Sequence, residues 1–133
     1  MAKKTKTVGK LKKELQIIVN QYIRLRDEGK PCISCGSYNN LQAGHFFAVG
    51  GYDGLRFDED NIHGECARCN CWDESHLILY ADNLKSKIGE SDYNALKQRA
   101  ADYKKNGYKF SRPELLELIE IYKEKVRLLK NNN

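Results

Sequence analysis
Two Cys-x-x-Cys pairs, Cys32–Cys35 and Cys66–Cys69, stand thirty residues apart in the chain, and together they offer the four thiolates of a closed tetrahedral zinc site. Sulfur binds zinc at about 2.3 Å, and four protein ligands leave no open position, so such an ion would be structural. A fifth cysteine, Cys71, is expected as a small buried side chain or as a substitute for a neighbouring ligand. An odd cysteine count with four in metal-type pairs favours metal ligation in a reducing compartment over a disulfide framework. The same stretch carries polar groups that a zinc knuckle does not need. These are His45 in Ala43-Gly44-His45-Phe46, Asn61 and His63 in Asp60-Asn61-Ile62-His63, Asn70 directly after Cys69, and His76. A neutral imidazole can accept a proton from water, and an asparagine carbonyl oxygen is a hard ligand suited to hydrated magnesium. A zinc-stapled hairpin packed on a helix would face His45 and Asn70 across one small cleft, an arrangement able to cut a phosphodiester. A strand histidine by itself is more often structural; the neighbours raise it to a candidate base.

The elements that would position these groups follow from periodicity. Leu11, Leu15, Ile18, Tyr22 and Leu25 recur at steps of four and three, one face of a helix over 10–28 that Gly29 ends. Opposite lie Lys12, Lys13, Gln16, Asn20, Arg24 and Asp27, a wet surface or a flank for a phosphate backbone. Pro31 breaks the helix, and Gly36 supplies the backbone freedom that a tight Cys32-Ile33-Ser34-Cys35 turn requires. Residues 41–47 read as a strand carrying His45, 48–60 as an open loop with Gly50, Gly51 and Gly54, and 61–64 as a short strand returning antiparallel. That return brings both cysteine pairs to one end. A helix then starts at 67–70, breaks near 73–75 and continues through Leu77, Ile78, Tyr80, Ala81 and Leu84 to Gly89. A further helix covers 91–103, with Tyr93, Leu96, Ala100 and Tyr103 on one side, and Asn106-Gly107 is a turn. Ser111, Pro113 and Glu114 mark the start of the last helix as a capping box with proline in the first turn. Its stripe of Leu115, Ile119, Tyr122, Val126 and Leu129 docks on the helix of 10–28 or forms a homodimer seam.

The chain has 133 residues, 41% of them hydrophobic, enough for one modest core. The expected organisation is a flexible basic tail over 1–9 and a single unit over 10–133, with its core at 30–88 and a helical part at 90–130. The formal charge is +5, and Lys3, Lys4, Lys6, Lys10, Lys12 and Lys13 all precede the first acidic residue, Glu14. This favours a polyanionic partner, although a lysine run alone is more often a solubilising tail. No apolar run approaches the roughly 20 residues that span a bilayer, and the lysines at the start precede no apolar signal core. A soluble, cytoplasmic protein without a membrane partner is expected.

The run from Cys32 to Asn70 resembles the HNH, or His-Me finger, nuclease motif. More narrowly, Ala43-Gly44-His45-Phe46, Gly50-Gly51, Leu55-Arg56-Phe57-Asp58, Asn61-Ile62-His63, Cys66-x-x-Cys69-Asn70 and Tyr80, with the preceding Tyr22-Ile23-Arg24-Leu25-Arg26-Asp27, resemble the phage NinG/Rap recombination proteins. The likeness covers roughly residues 10–90. It implies an α+β, mostly helical fold with a zinc-stapled ββα-metal core between N- and C-terminal helices. It also implies a phage- or prophage-encoded, structure-specific endonuclease acting on branched DNA such as D-loops and Holliday junctions, rather than on a small molecule. In that likeness His45 is the general base, Asn61 braces its loop, and Asn70 ligates a catalytic Mg²⁺ or Mn²⁺. Many HNH enzymes carry a metal ligand directly before the histidine; Gly44 stands there, and Asp58, His63 and His76 are candidate additional ligands or structural residues. Arg56 and Arg68 would clamp flanking phosphates or pair with Asp58 or Glu65, while Lys12, Lys13, Arg24 and Arg26 would supply salt-sensitive backbone affinity. Phe47 and Tyr52 would wedge at a branch point or simply pack. Two rival expectations are a non-catalytic zinc-containing DNA-binding module, favoured by Gly44, and an adaptor whose last helix binds a partner protein.

Overall fold
Thr7 starts the first helix by accepting the Lys10 N–H on its hydroxyl at 3.1 Å, satisfying one of the donors a helix start leaves unpaired. In the computed structural model, which describes residues 5–71 and 76–132, this helix, α1, runs Val8–Arg26. Lys3, Lys4 and the expected break at 73–75 lie outside the described residues. The fully buried row on α1 is Leu11, Leu15, Val19 and Ile23; Ile18 and Tyr22 flank it, half-buried. The expected stripe was therefore rotated by a fraction of a turn. A straight row at steps of four is the ridge that seats in the groove of a facing helix. That helix is α5, Arg112–Asn131, which buries Leu115, Ile119, Tyr122 and Val126 against α1. Each such aliphatic side chain contributes about 2 kcal/mol of transfer free energy. This face of α5 is occupied within the chain, so it is not available as a dimer seam.

Ser111 caps α5 as expected, accepting the Glu114 N–H at 3.3 Å, while the Glu114 carboxylate takes the Tyr108 hydroxyl at 2.5 Å. Against α1 packs an antiparallel hairpin, β1 Leu41–His45 and β2 Ile62–Cys66, with Gly44 opposite His63 and His45 opposite Ile62. The strand expected to reach residue 47 ends at His45, and the returning strand extends to Cys66. The loop joining them is not open throughout: it holds two 3-10 turns, Asp53–Leu55 and Glu59–Asn61. Helix α2, Ala67–Cys71, leaves β2 directly, and α3, His76–Ile88, follows. Only Tyr80 and Leu84 of α3 are buried, whereas Leu77 and Ile78 are exposed. Helix α4, Glu90–Asn106, ends at Gly107, whose positive φ of 72° closes the helix as glycine does at low cost. Tyr80, Leu84, Leu96 and Ala100 form a second apolar cluster with Ile33 and Leu55, behind the hairpin's loop. The result is a mostly helical α+β fold around a small two-stranded sheet. No helix among the described residues is long and apolar enough to cross a membrane.

Asp27 departs most from expectation. It is 1% exposed because its carboxylate accepts the Gly64 N–H at 2.8 Å and Lys87 Nζ at 2.9 Å, and pairs with the Arg26 guanidinium at 2.9 Å. It ties the end of α1 to β2 and α3. Burial raises Asp27, but the Arg26, Gly64 and Lys87 donors outweigh it and hold the carboxyl well below the usual carboxylate range.

Candidate metal centre and adjoining histidine site
The four cysteines of the two pairs converge: the sulfurs of Cys32, Cys35, Cys66 and Cys69 all lie within 4.8 Å of one another. Cys35 Sγ and Cys66 Sγ are 3.7 Å apart, close to the ~3.8 Å edge of a tetrahedron with 2.3 Å zinc–sulfur bonds. The sulfur environment suits thiolates. The N–H groups of Ser34, Cys35 and Cys66 approach Cys32 Sγ at 3.4, 3.5 and 3.3 Å, as donors to an anionic sulfur would. The Ser37 hydroxyl beside Cys35 lowers that thiol to about 6, whereas burial pushes the Cys32 and Cys69 thiols up. A bound cation offsets that burial cost. Gly36 turns the first knuckle at a φ of 77°, Ile33 N–H donates to the Gly64 carbonyl at 2.9 Å, and Asn83 from α3 donates to the Ile33 carbonyl at 2.7 Å. The knuckle is thus tied to both β2 and α3. Cys71 is exposed, not buried, and stands outside the group of four, because one further turn-step along α2 rotates its sulfur toward Gln42 at 3.7 Å.

His45 closes β1. Its Nε2 lies 2.9 Å from the Arg56 carbonyl oxygen; a carbonyl only accepts, so Nε2 carries the proton and Nδ1 keeps the lone pair. Burial lowers this imidazole below its ordinary value, against the Arg56 carbonyl, which raises it. The ring is therefore neutral near pH 7. The loop that presents the Arg56 carbonyl is clamped by Asn61, a fully buried residue. Asn61 Oδ1 accepts the Phe47 N–H at 2.8 Å, and its Nδ2 donates to the Phe47 and Leu55 carbonyls at 3.0 and 3.2 Å. Backbone on both sides of the histidine is held by one amide.

Asn70 stands on α2 beside β1. Strand alternation sends Leu41, Ala43 and His45 to one face of the hairpin and Gln42 and Gly44 to the other. Ala43 packs toward α1, while Asn70 donates from α2 to Gln42 Oε1 at 2.9 Å and brings its Oδ1 to Gly44. His45 and Asn70 accordingly approach β1 at consecutive positions, His45 on the Ala43 side of the strand and Asn70 beside Gly44. Tyr80, fully buried, fixes the intervening backbone by donating its hydroxyl to the Gly44 carbonyl at 2.6 Å.

On the Gly44 face lies Glu65, expected as a surface ion-pair partner of an arginine. Glu65 is 0% exposed. Its Oε2 accepts the Ser34 hydroxyl at 2.5 Å and His76 Nδ1 at 2.6 Å, yet Oε1 is buried with no hydrogen-bond partner among the described residues. A Cβ built at Gly44 would collide with that oxygen and stand 3.2 Å from Asn70 Oδ1. The strand expected over 61–64 stopped short of Glu65; the observed β2 runs on to Cys66 and so encloses it.

The remaining candidates separate cleanly. His63 is 1% exposed; its Nε2 donates to the Asp60 carbonyl at 2.8 Å and its Nδ1 accepts from Arg26 at 3.1 Å. Burial, with Lys87 and Arg26 nearby, lowers it to about 3, so it is a structural histidine. Asp58 caps the second 3-10 turn and pairs with Arg99 at 2.9 Å, and His76 orients Glu65. Arg26, expected to meet DNA, is committed to Asp27 and to the Glu59 and Ile62 carbonyls at 3.1 and 2.8 Å. Lys12 pairs with Asp53 at 2.5 Å, and Arg56 donates to Gln16 at 2.9 Å instead of pairing with Asp58. Phe47 and Tyr52 pack on each other, their rings 4.9 Å apart. Lys13, Arg24 and Arg68 are exposed; Arg24 and Arg68 line shallow recesses on either side of the Tyr38–Asn40 segment, where Tyr38 is 76% exposed.

A family model described as Bacteriophage Lambda NinG protein matches residues 1–132. The proteins called ninG of Escherichia phage 933W and Escherichia phage lambda are each 33% identical over 122 residues, covering 90% of this chain and 58% and 57% of theirs. The ninG protein of Enterobacteria phage H19B is 41% identical over 80 residues, 59% of this chain and 40% of that protein. The chain thus spans somewhat over half the length of the first two relatives. No solved structure matches it.

Proposed function
Because the chain belongs to the bacteriophage lambda NinG family, we propose that it is a metal-dependent, structure-specific DNA endonuclease with a zinc-stapled His-Me finger core, acting on branched recombination intermediates in the cytoplasm of an infected cell. One observation carries this reading. The His45 ring donates through Nε2 to the Arg56 carbonyl, and its loop is locked by Asn61, which leaves a neutral Nδ1 poised as a base. The structural His63 holds the same tautomer, but its Nδ1 accepts from Arg26, whereas no described residue donates to His45 Nδ1.

In this mechanism a water at His45 Nδ1 loses its proton as its oxygen attacks phosphorus, and the 3′ oxygen departs, leaving a 5′ phosphate. Asn61 contributes by holding the backbone around the ring, so that the imidazole meets the water in one orientation. A divalent Mg²⁺ or Mn²⁺ fits the opposite face of β1, where the orphaned buried Glu65 Oε1 and Asn70 Oδ1 meet beside Gly44. There it would stabilise the charge that develops on the phosphoryl and leaving oxygens. Arg24 and Arg68, with Tyr38 between them, would meet the DNA backbone and unpaired bases, and Lys13, exposed on α1, would add positive charge. Symmetric cutting of a four-way junction needs two active centres, so the protein would act as a homodimer through a face other than the α1-facing stripe of α5.

A second reading is supported by Gly44: a zinc-containing module that binds DNA without cutting it. Incubating a labelled four-way junction with zinc-loaded protein, with and without Mg²⁺ or Mn²⁺, discriminates the two. Cleavage that needs the divalent ion and drops about 10²- to 10⁴-fold in His45→Ala is expected of a general base. Undiminished cleavage by that variant would falsify the catalytic role, and binding without cleavage in either ion would favour the second reading.

A further inference from the structure
The orphaned carboxylate oxygen of Glu65 bears on how a divalent ion is held when the residue before the histidine is glycine. Hard, oxygen-preferring ions such as Mg²⁺ and Mn²⁺ are usually held through one or two carboxylates, and Asn70 is neutral. Glu65 Oε1 is buried and lacks a donor among the described residues, a costly state for a carboxylate. It occupies the space in which a side chain at 44 would begin, and Asn70 Oδ1 closes on the same point from α2. Its other oxygen is held by Ser34 and His76 at 2.5 and 2.6 Å, the kind of outer contact that orients a ligating carboxylate. Ser34 lies within the first zinc knuckle, so the stapled frame also aims this group.

We propose that Glu65, reaching across from β2, is the anionic ligand of a divalent-cation site shared with Asn70, taking the place that a side chain at 44 would occupy. The site rests on the nuclease reading for its purpose but not for its chemistry. His76 and Ser34 are positioning residues within it.

The test measures metal binding apart from cleavage. The zinc-loaded 133-residue chain is titrated with Mn²⁺ and followed by the loss of the free-ion electron paramagnetic resonance signal, with zinc content and circular dichroism recorded for each protein. Wild type is expected to bind one Mn²⁺, and Glu65→Gln and Asn70→Ala to weaken it at least about tenfold with zinc retained. Moving the carboxylate across the hairpin, as Gly44→Asp with Glu65→Gly, is expected to restore binding that Glu65→Gly alone loses. As a measurement independent of any variant, traces of Mn²⁺ added to ¹⁵N-labelled wild type should broaden the amide signals of 44, 65 and 70 first. Equal Mn²⁺ affinity in wild type and Glu65→Gln, or broadening centred elsewhere, overturns the assignment whatever the cleavage result. Glu65-dependent binding in a protein that cuts no junction would uphold the site and refute the nuclease reading.

Discussion

Asn61→Ala tests whether the amide clamp holds the histidine loop together. The substitution removes three hydrogen bonds, to Phe47 N–H, Phe47 carbonyl and Leu55 carbonyl, from a residue with no exposed surface. Each bond contributes about 1 kcal/mol net, and leaving a buried partner unpaired costs more. The Phe47 backbone belongs to a half-buried residue, so water can re-pair part of it. The expected loss is therefore about 3 kcal/mol, which for a 133-residue chain lowers the melting midpoint by about 10 °C. Asn61→Asp keeps the acceptor toward Phe47 N–H but turns a second oxygen against two carbonyls, so near neutral pH it should cost at least as much despite its matching shape. Urea titration of zinc-loaded protein, followed by circular dichroism, gives both values. The same variants should lose junction cleavage beyond the loss of folded protein, since the Arg56 carbonyl that orients His45 hangs from the clamped loop. An Asn61→Ala protein within 1 kcal/mol of wild type would show that the loop is held by other contacts and that the reasoning about His45 presentation is wrong.

Asp27→Asn should destabilise the fold by about 3 kcal/mol, because it strips the partner from two half-buried cations while Asp27 itself is buried. The folded-state pKa of Asp27 is depressed; its contribution is therefore complete above the ordinary carboxyl range and disappears as pH falls through the folded value. Wild type and variant should converge in urea stability toward acid, and a constant gap from neutral pH down to pH 3 would contradict the assignment. Zinc removal by a strong chelator should unfold the hairpin and expose its ties to α1 and α3, with one zinc released per chain by colorimetric assay; Cys32→Ser, Cys35→Ser, Cys66→Ser or Cys69→Ser should each reduce zinc content, whereas Cys71→Ser should leave it unchanged. Arg68→Ala and Tyr38→Ala should weaken junction binding without altering thermal stability, and the Arg68→Ala complex should show a shallower salt dependence by fluorescence anisotropy; unchanged affinity for both would remove this surface from the DNA footprint.

Local chemistry made part of this protein legible in one dimension. Cys-x-x-Cys spacing with Gly36 determines a knuckle whatever surrounds it, because a turn of that length brings two sulfurs to one point; the convergence of both pairs followed from an antiparallel return. Ser111 and Gly107 marked helix ends through hydrogen bonds and a φ value that act within a few residues. What depended on packing was less visible. The buried row of α1 was offset because Val19 and Ile23, not Leu25, meet α5, and the choice between adjacent apolar faces is made by the partner helix. Asp27, Arg26 and Glu65 looked like surface charges because their partners, Lys87, Ile62 and His76, lie 60, 36 and 11 residues away on other elements. Strand parity set His45 on the Ala43 side of β1, and the exit of α2 from β2 brought Asn70 to Gly44. The sequence determined which ligands and bases were present; the tertiary structure decided which face of the hairpin each would serve, since a side chain's direction depends on register and a charge's cost depends on what encloses it.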